Sequence, residues 1–156
     1  MATSDCYDKA LGLLARRSHF RRQLEEKLRS RSYDESAIAE TLDRLTELGY
    51  LDDLRVAREF VELRLRKGPV GQRRMQLELQ KRGAASDAAE RVLEETFSER
   101  DEREAAREAA LDWLRRGRHD LAAMARHLDR LGFTTSSILG VVDEMRSERG
   151  DAGESW

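Results

Sequence analysis

The sequence predicts an all-α fold of three tandem three-helix repeats forming an elongated curved stack. Three observations carry this reading. One proline, Pro69, stands among 156 residues, so the chief helix breaker is nearly absent. Apolar residues recur at spacings of 3 and 4, which places them on one helix face with charge opposite. The chain also repeats itself. At an offset of 100, Leu14 meets Leu114, Arg16 meets Arg116, His19 meets His119, Leu28 meets Leu128 and Ile38 meets Ile138. At an offset of 51, Met75 matches Leu24, Leu79 matches Leu28 and Gly83 matches Ser32. A period of about 50 residues marks an architecture in which neighbouring units bury faces that none can bury alone.

Repeat one, residues 7–53, opens with a helix carrying Ala10, Leu11, Leu13 and Leu14. A second helix carries Leu24 and Leu28, and a third carries Ile38, Leu42, Leu45 and Leu48. Asp34 is the expected N-cap of the third helix, its carboxylate accepting from free N–H groups of the first turn. Tyr33 and Ile38 staple across that cap. Gly49 is expected in the left-handed position that closes the helix, after which Leu51, Asp52 and Val56 staple and cap the next one. Repeat two, residues 54–100, uses KGPVGQRRM (Lys67 to Met75) as the turn between its first two helices, with Gly71 near the start of the second. Repeat three, residues 101–146, copies the staple with Phe133, Thr134 and Ile138. The N-terminus around Cys6 is expected to fray, and the polar stretch 147–156 to form a disordered tail.

Charged residues make up 38% of the chain, yet 29 Lys and Arg against 31 Asp and Glu leave a net charge of only -2. Ordinary domains carry about 25%, and a rod accommodates the excess because it exposes more surface per residue than a sphere. Disorder throughout is excluded, since that requires low hydrophobicity together with a large net charge. No run of about 18 apolar residues offers a membrane span, and the first residues lack the basic and apolar regions of a secretory signal. A single cysteine cannot form an internal disulfide, which fits a reducing compartment. These features lead us to expect a cytoplasmic monomer that makes no membrane contact.

The near-neutral total hides a segregation. Residues 16–31 carry seven basic groups against Glu25 and Glu26, whereas residues 34–53 carry seven acids against Arg44. Residues 58–82 hold eight basic groups against Glu59, Glu62 and Glu78, and Arg115, Arg116 and Arg118 cluster in repeat three. One reading is a set of solvated faces with mutual i,i+4 pairing. The other is a basic stripe facing an anionic partner, with Arg16, Arg17, Arg21, Arg22, Arg66, Lys67, Arg73, Arg74, Arg115, Arg116 and Arg118 as the contact set. Only Phe20, Phe60 and Trp113 lie near these cations, each with a core role available, which argues against base stacking as the main contact. Phosphate contacts or an acidic protein surface remain. No catalytic constellation, metal site or cofactor motif is expected. His119 and His127 lie eight apart without a third ligand, no Walker-type loop is present, and Asp52 and Asp53 sit at a helix start where capping accounts for them.

The stretch Gly49–Gly83 (GYLDDLRVAREFVELRLRKGPVGQRRMQLELQKRG) resembles the RecX family of bacterial RecA regulators. Gly49, Tyr50, Leu51, Asp52, Asp53, Ala57, Arg58, Phe60, Val61, Glu78 and Leu79 match the family pattern in place. LLARR (Leu13–Arg17) and RLGFTTSSI (Arg130–Ile138) look like its first- and third-repeat motifs, so the resemblance covers residues 9–145. Two positions depart from the pattern: Phe20 stands where the family tends to place a Ser or Thr cap, and Gly71-Gln72 stands where it has Gly-Pro. The resemblance implies a modulator without an active site. It also implies binding along the groove of the RecA nucleoprotein filament, with weak DNA contact at most, and restraint of ATP hydrolysis, strand exchange and filament growth. A directly nucleic-acid-binding helical module is the alternative, since three-helix units also resemble helix-turn-helix domains.

Overall fold

The computed structural model describes residues 2–151, and every regular element among them is an α-helix. In chain order these are α1 (Ala2–Arg16), α2 (Arg21–Ser30), α3 (Glu35–Glu47), α4 (Asp53–Arg66), α5 (Gln72–Arg82), α6 (Ser86–Phe97), α7 (Glu102–Arg115), α8 (Leu121–Arg130) and α9 (Thr135–Asp151). They form three successive trios, the tandem repeats the sequence predicted. The turn after the second helix of each trio shows the repeat most directly. Ser32, Gly83 and Gly132 occupy it with φ of 65°, 90° and 87°. Each donates its N–H to the carbonyl three residues back, and the next residue donates to the carbonyl five back. This closure satisfies carbonyls that the helix end leaves open. Gly49 closes α3 in the same way at φ 79°, as expected.

Two compact units arise from these helices. One comprises the chain up to Phe60 together with Glu78–Val92, and the other Val61–Leu77 together with the chain from Leu93 onward. The expected three-repeat bounds differ from this division, which splits α4, α5 and α6 between the two units. The first unit buries Cys6, Ala10 and Leu13 of α1 against Leu24 and Leu28 of α2 and Ala37, Ile38, Leu42 and Leu45 of α3. The second buries Ala106, Ala109, Ala110 and Trp113 of α7 with Met124 and Leu128 of α8, Phe133, and Ile138, Val141, Val142 and Met145 of α9. Full burial of a leucine-sized side chain stabilises by ~1.5–3 kcal/mol, so the 3/4 spacing read from sequence is also where the folding free energy is concentrated.

Three local expectations are corrected. Cys6 does not fray: it lies in α1 and is fully buried in the first unit's core, because it continues the apolar stripe of Ala10 and Leu13 one turn back. Asp34 occupies the N-cap position of α3, but its side chain accepts no cap hydrogen bond. The acid after it, Glu35, is instead held by Arg29 of α2 at 2.6 Å. The expected tail begins too early, since α9 continues through Asp151. Met145 is buried, Glu148 reaches Arg107 of α7 at 3.4 Å, and Arg149 donates to the His119 carbonyl. Those anchors hold the last turns, and residues 152–156 lie outside the described residues.

The acidic pair at the start of α4 caps helices, one of them its own. Asp52 accepts from the Arg55 N–H at 3.2 Å. Asp53 reaches further: its two oxygens accept from the Arg21 N–H at 2.8 Å and the Ala85 N–H at 3.0 Å, tying the starts of α2 and α6 to α4. This explains how α2 tolerates Phe20 as its N-cap residue. The phenyl ring offers no acceptor, but Gln23 Oε1 takes the Phe20 N–H at 3.0 Å and Asp53 takes the next. In repeat three Glu102 plays the equivalent part for α9, accepting from the Thr134 and Ser137 hydroxyls at 2.7 and 2.5 Å.

Candidate partner-binding surface

The sequence-predicted cations separate into paired and unpaired groups. In the first unit, Arg21 donates to Asp43 at 2.6 Å and to Thr46 at 3.0 Å, joining α2 to α3. Arg22 lies 3.4 Å from Glu26 one turn along. Arg16 and Arg17, at the end of α1, are exposed and enter no ion pair among the described residues. Beside them is a polar arrangement that composition could not show. His19 is buried, donates from Nδ1 to the Arg17 carbonyl at 2.9 Å, and accepts at Nε2 from the Lys27 ammonium at 2.9 Å. Neutral imidazole alone can do both. Burial, followed by the Lys27 and Arg17 charges, accordingly holds His19 below its ordinary pKa, with the carbonyl bond opposing. Lys27 is pulled below its usual value by desolvation and by Arg17 and Arg31.

In the second unit Arg66 is paired with Glu62 at 2.6 Å and Arg115 with Asp112 at 2.8 Å, both along their own helices. Arg73 and Arg74 have an internal task. Arg73 donates to the Asp129 carboxylate at 2.9 Å and carbonyl at 3.1 Å, and Arg74 to the Arg130 carbonyl at 3.2 Å. These carbonyls lie at the negative end of α8, where cations are favoured, and the Asp129 carbonyl also accepts from the Gly132 N–H. Backbones meet at the same junction: the Gly71 N–H donates to the Leu131 carbonyl at 2.7 Å. Arg73 and Arg74 therefore hold α5 against α8.

Lys67, Arg116 and Arg118 are different. All three are exposed, and none forms an ion pair among the described residues. Lys67 and Arg116 line one cleft with Arg64, His127 and Trp113. His127 stacks on the Trp113 ring at 4.7 Å, and the Arg118 guanidinium lies 4.6 Å from that ring. Desolvation first, then Arg130, Arg116 and Arg118, hold His127 below its ordinary pKa. The aromatics near the predicted stripe have the core roles expected of them: Phe20 and Trp113 are buried, and Phe60 is half-buried under the Arg82 guanidinium at 4.8 Å. Sequence reasoning missed Lys27, Arg64, Arg130 and the Trp113–His127 stack. The repeat register holds the missed signal, because Arg16, Lys67 and Arg116 are equivalent at the two offsets of 51 and 100. Each stands at the end of its repeat's first helix, and none enters an ion pair among the described residues. Among the described residues no group of three or more His, Cys, Asp or Glu could hold a metal ion, and no helix is long and apolar enough to cross a membrane.

The same constellation of helices and turns is found in known proteins. Residues 6–45 match the family profile described as RecX, first three-helix domain. The regulatory protein RecX of Prosthecochloris aestuarii (strain DSM 271 / SK 413) is 31% identical over 143 residues, covering 92% of this chain and 95% of the relative. The chain belongs to the RecX family. A regulatory protein RecX from Thermus thermophilus is 37% identical over 155 residues, 98% of each chain. Among solved structures, RecX from Lactobacillus salivarius shares the fold with a TM-score of 0.79 at 24% identity, over 93% of this chain and 97% of that one. Membership makes this chain a RecX-type regulatory protein, and the family profile identifies its first trio as a RecX three-helix domain.

Proposed function

We propose that this protein is a non-enzymatic regulator that binds the RecA–DNA filament along its groove and inhibits recombinase and ATPase activity in recombination and DNA repair. The observation that carries this reading beyond family membership is the recurrence of one unpaired cation, Arg16, Lys67 and Arg116, at the same position of all three repeats. A surface charge without an internal partner contributes little to the fold, and three in register suit a partner with a repeated acidic or phosphate surface. Arg17 and Arg118 flank two of them. Arg66, Arg73, Arg74 and Arg115 are engaged internally.

The test is ATP hydrolysis by RecA on single-stranded DNA with the protein added at stoichiometric ratio and low salt. We expect inhibition, weakened at least about tenfold in half-effective concentration by Arg16→Glu/Lys67→Glu/Arg116→Glu, since opposed charges lose more than the removed contacts. Arg66→Gln, which breaks only an exposed i,i+4 pair, should change it little. Full-strength inhibition by the triple variant, or none by the parent protein, would overturn the proposal. A direct nucleic-acid-binding module is favoured as a second reading by the basic cleft around Lys67 and Arg116. Tight duplex binding without RecA, falling steeply with salt, would support it instead.

A further inference from the structure

The cleft between the end of α4 and helices α7 and α8 has a volume of about 160 Å³. At ~30 Å³ per water it holds about five waters, far below the ~300–1,000 Å³ of a site that encloses a drug-sized molecule. Lys67 and Arg116, neither in an ion pair among the described residues, line it together with Arg64 and with one acid, Asp112, which already serves Arg115. Trp113 also lines it. This indole is 9% exposed, and its Nε1–H is buried without any hydrogen-bond partner. His127 adds a ring held neutral by its surroundings, able to donate from one nitrogen. A small, concave, cationic site with a neutral imidazole donor beside it is suited to a compact oxyanion. Trp113 is 9% exposed and already in contact with the His127 ring and the Arg118 guanidinium, so it offers little platform for a base.

We propose that this cleft is a phosphate-binding site that takes one phosphate group and makes no contact with a base. Lys67 and Arg116, beside a single acid already committed to Arg115, favour phosphate, with its several acceptor oxygens and charge of up to about -2, over a lone carboxylate. The phosphate can come from a nucleic-acid strand or from a free phosphorylated molecule. The site uses Lys67 and Arg116 of the surface proposed above but does not depend on RecA, so it can fail while that reading stands, and the reverse.

The test uses the full chain with Trp156→Phe, which leaves Trp113 as the sole tryptophan. Inorganic phosphate, pyrophosphate and an oligothymidylate strand are titrated separately while Trp113 emission and the His127 ring resonance are followed. We expect a saturable emission change and a rise in the His127 pKa on saturation. The charged groups around that ring, Arg64 of α4 and Lys67 just beyond it, Asp112 of α7 and Arg116 at its end, Arg118 and Arg130, would then share their field with an anion. Lys67→Ala/Arg116→Ala should weaken binding by roughly tenfold or more, with unchanged helicity. Saturation by inorganic phosphate or pyrophosphate identifies a free source. Saturation by the strand, with none by inorganic phosphate or pyrophosphate, identifies the backbone. Changes reproduced by sodium chloride at equal ionic strength, or saturation by polyglutamate with none by any phosphate, would overturn the proposal.

Discussion

Replacing Gly132 by alanine tests the account of the α5–α8 junction most severely. The residue has φ 87°, and a Cβ there would stand 2.4 Å from the Arg74 nitrogen and 2.9 Å from the Arg74 Cα. Those are backbone atoms at the start of α5, so the first turn itself must move. Left-handed backbone costs an alanine ~1–2 kcal/mol. Moving α5 also breaks the Gly71 N–H bond to the Leu131 carbonyl, and leaving that buried donor unmet costs ~1–3 kcal/mol. The smaller entropy of an unfolded alanine offsets ~0.4–1 kcal/mol of this. The net loss is about 3 kcal/mol. Gly117 in the same unit is the control: its φ is 76°, and a Cβ meets nothing within 4 Å. Its alanine variant should lose under about 1 kcal/mol, from the same backbone and entropy contributions. Urea denaturation in the Trp156→Phe background, followed by Trp113 fluorescence, reads the unit that contains both glycines. Equal losses in the two variants would refute the argument, because the backbone contribution is common and only the clash differs.

Other expectations follow from the same geometry. Ser32 holds φ 65° where its two repeat-mates are glycine, so Ser32→Gly should stabilise the first unit by about 1 kcal/mol in urea denaturation, and a loss would contradict the assigned strain. Asp53→Ala leaves the Arg21 and Ala85 N–H groups without their acceptor and should cost about 2 kcal/mol, with Asp53→Asn intermediate, since each cap contributes ~0.5–2 kcal/mol. The folded pKa of His19 lies below its unfolded value of 6.5, so its contribution to stability is present above pH 6.5 and is lost as pH falls through the folded pKa. Lys27→Met removes a cation facing the ring and should raise the His19 pKa measured by NMR, whereas an unchanged value would show that the Lys27 charge does not act on it.

Much of the fold is legible in the sequence because its determinants are local. The apolar stripe of Leu24 and Leu28, the Tyr33 and Ile38 staple and the closures at Gly49, Gly83 and Gly132 each involve residues three to five apart, a spacing set by helix geometry itself. Repetition then multiplies weak signals, since a turn that is ambiguous at Ser32 is plain at Gly83 and Gly132. Where local rules failed, a distant partner won. Cys6 is buried because α2 and α3 cover it, the last turns of α9 persist because Arg107 and His119 anchor them, and Asp34 is idle while Asp53 caps a helix 32 residues away.

The candidate surface divides along the same line. The sequence by itself determined that the chain is helical, that it repeats three times, and that cations recur near the junction of the first two helices of each repeat. Only the tertiary structure decided which of those cations are available. Arg73 and Arg74 look identical in sequence to Arg16 and Arg17, yet the first pair is bound to α8 carbonyls 56 residues away and the second enters no ion pair among the described residues. A helical period specifies the face on which a charge lies. Whether that charge meets a carboxylate, a carbonyl or water depends on the distance and angle between helices, which local periodicity does not encode.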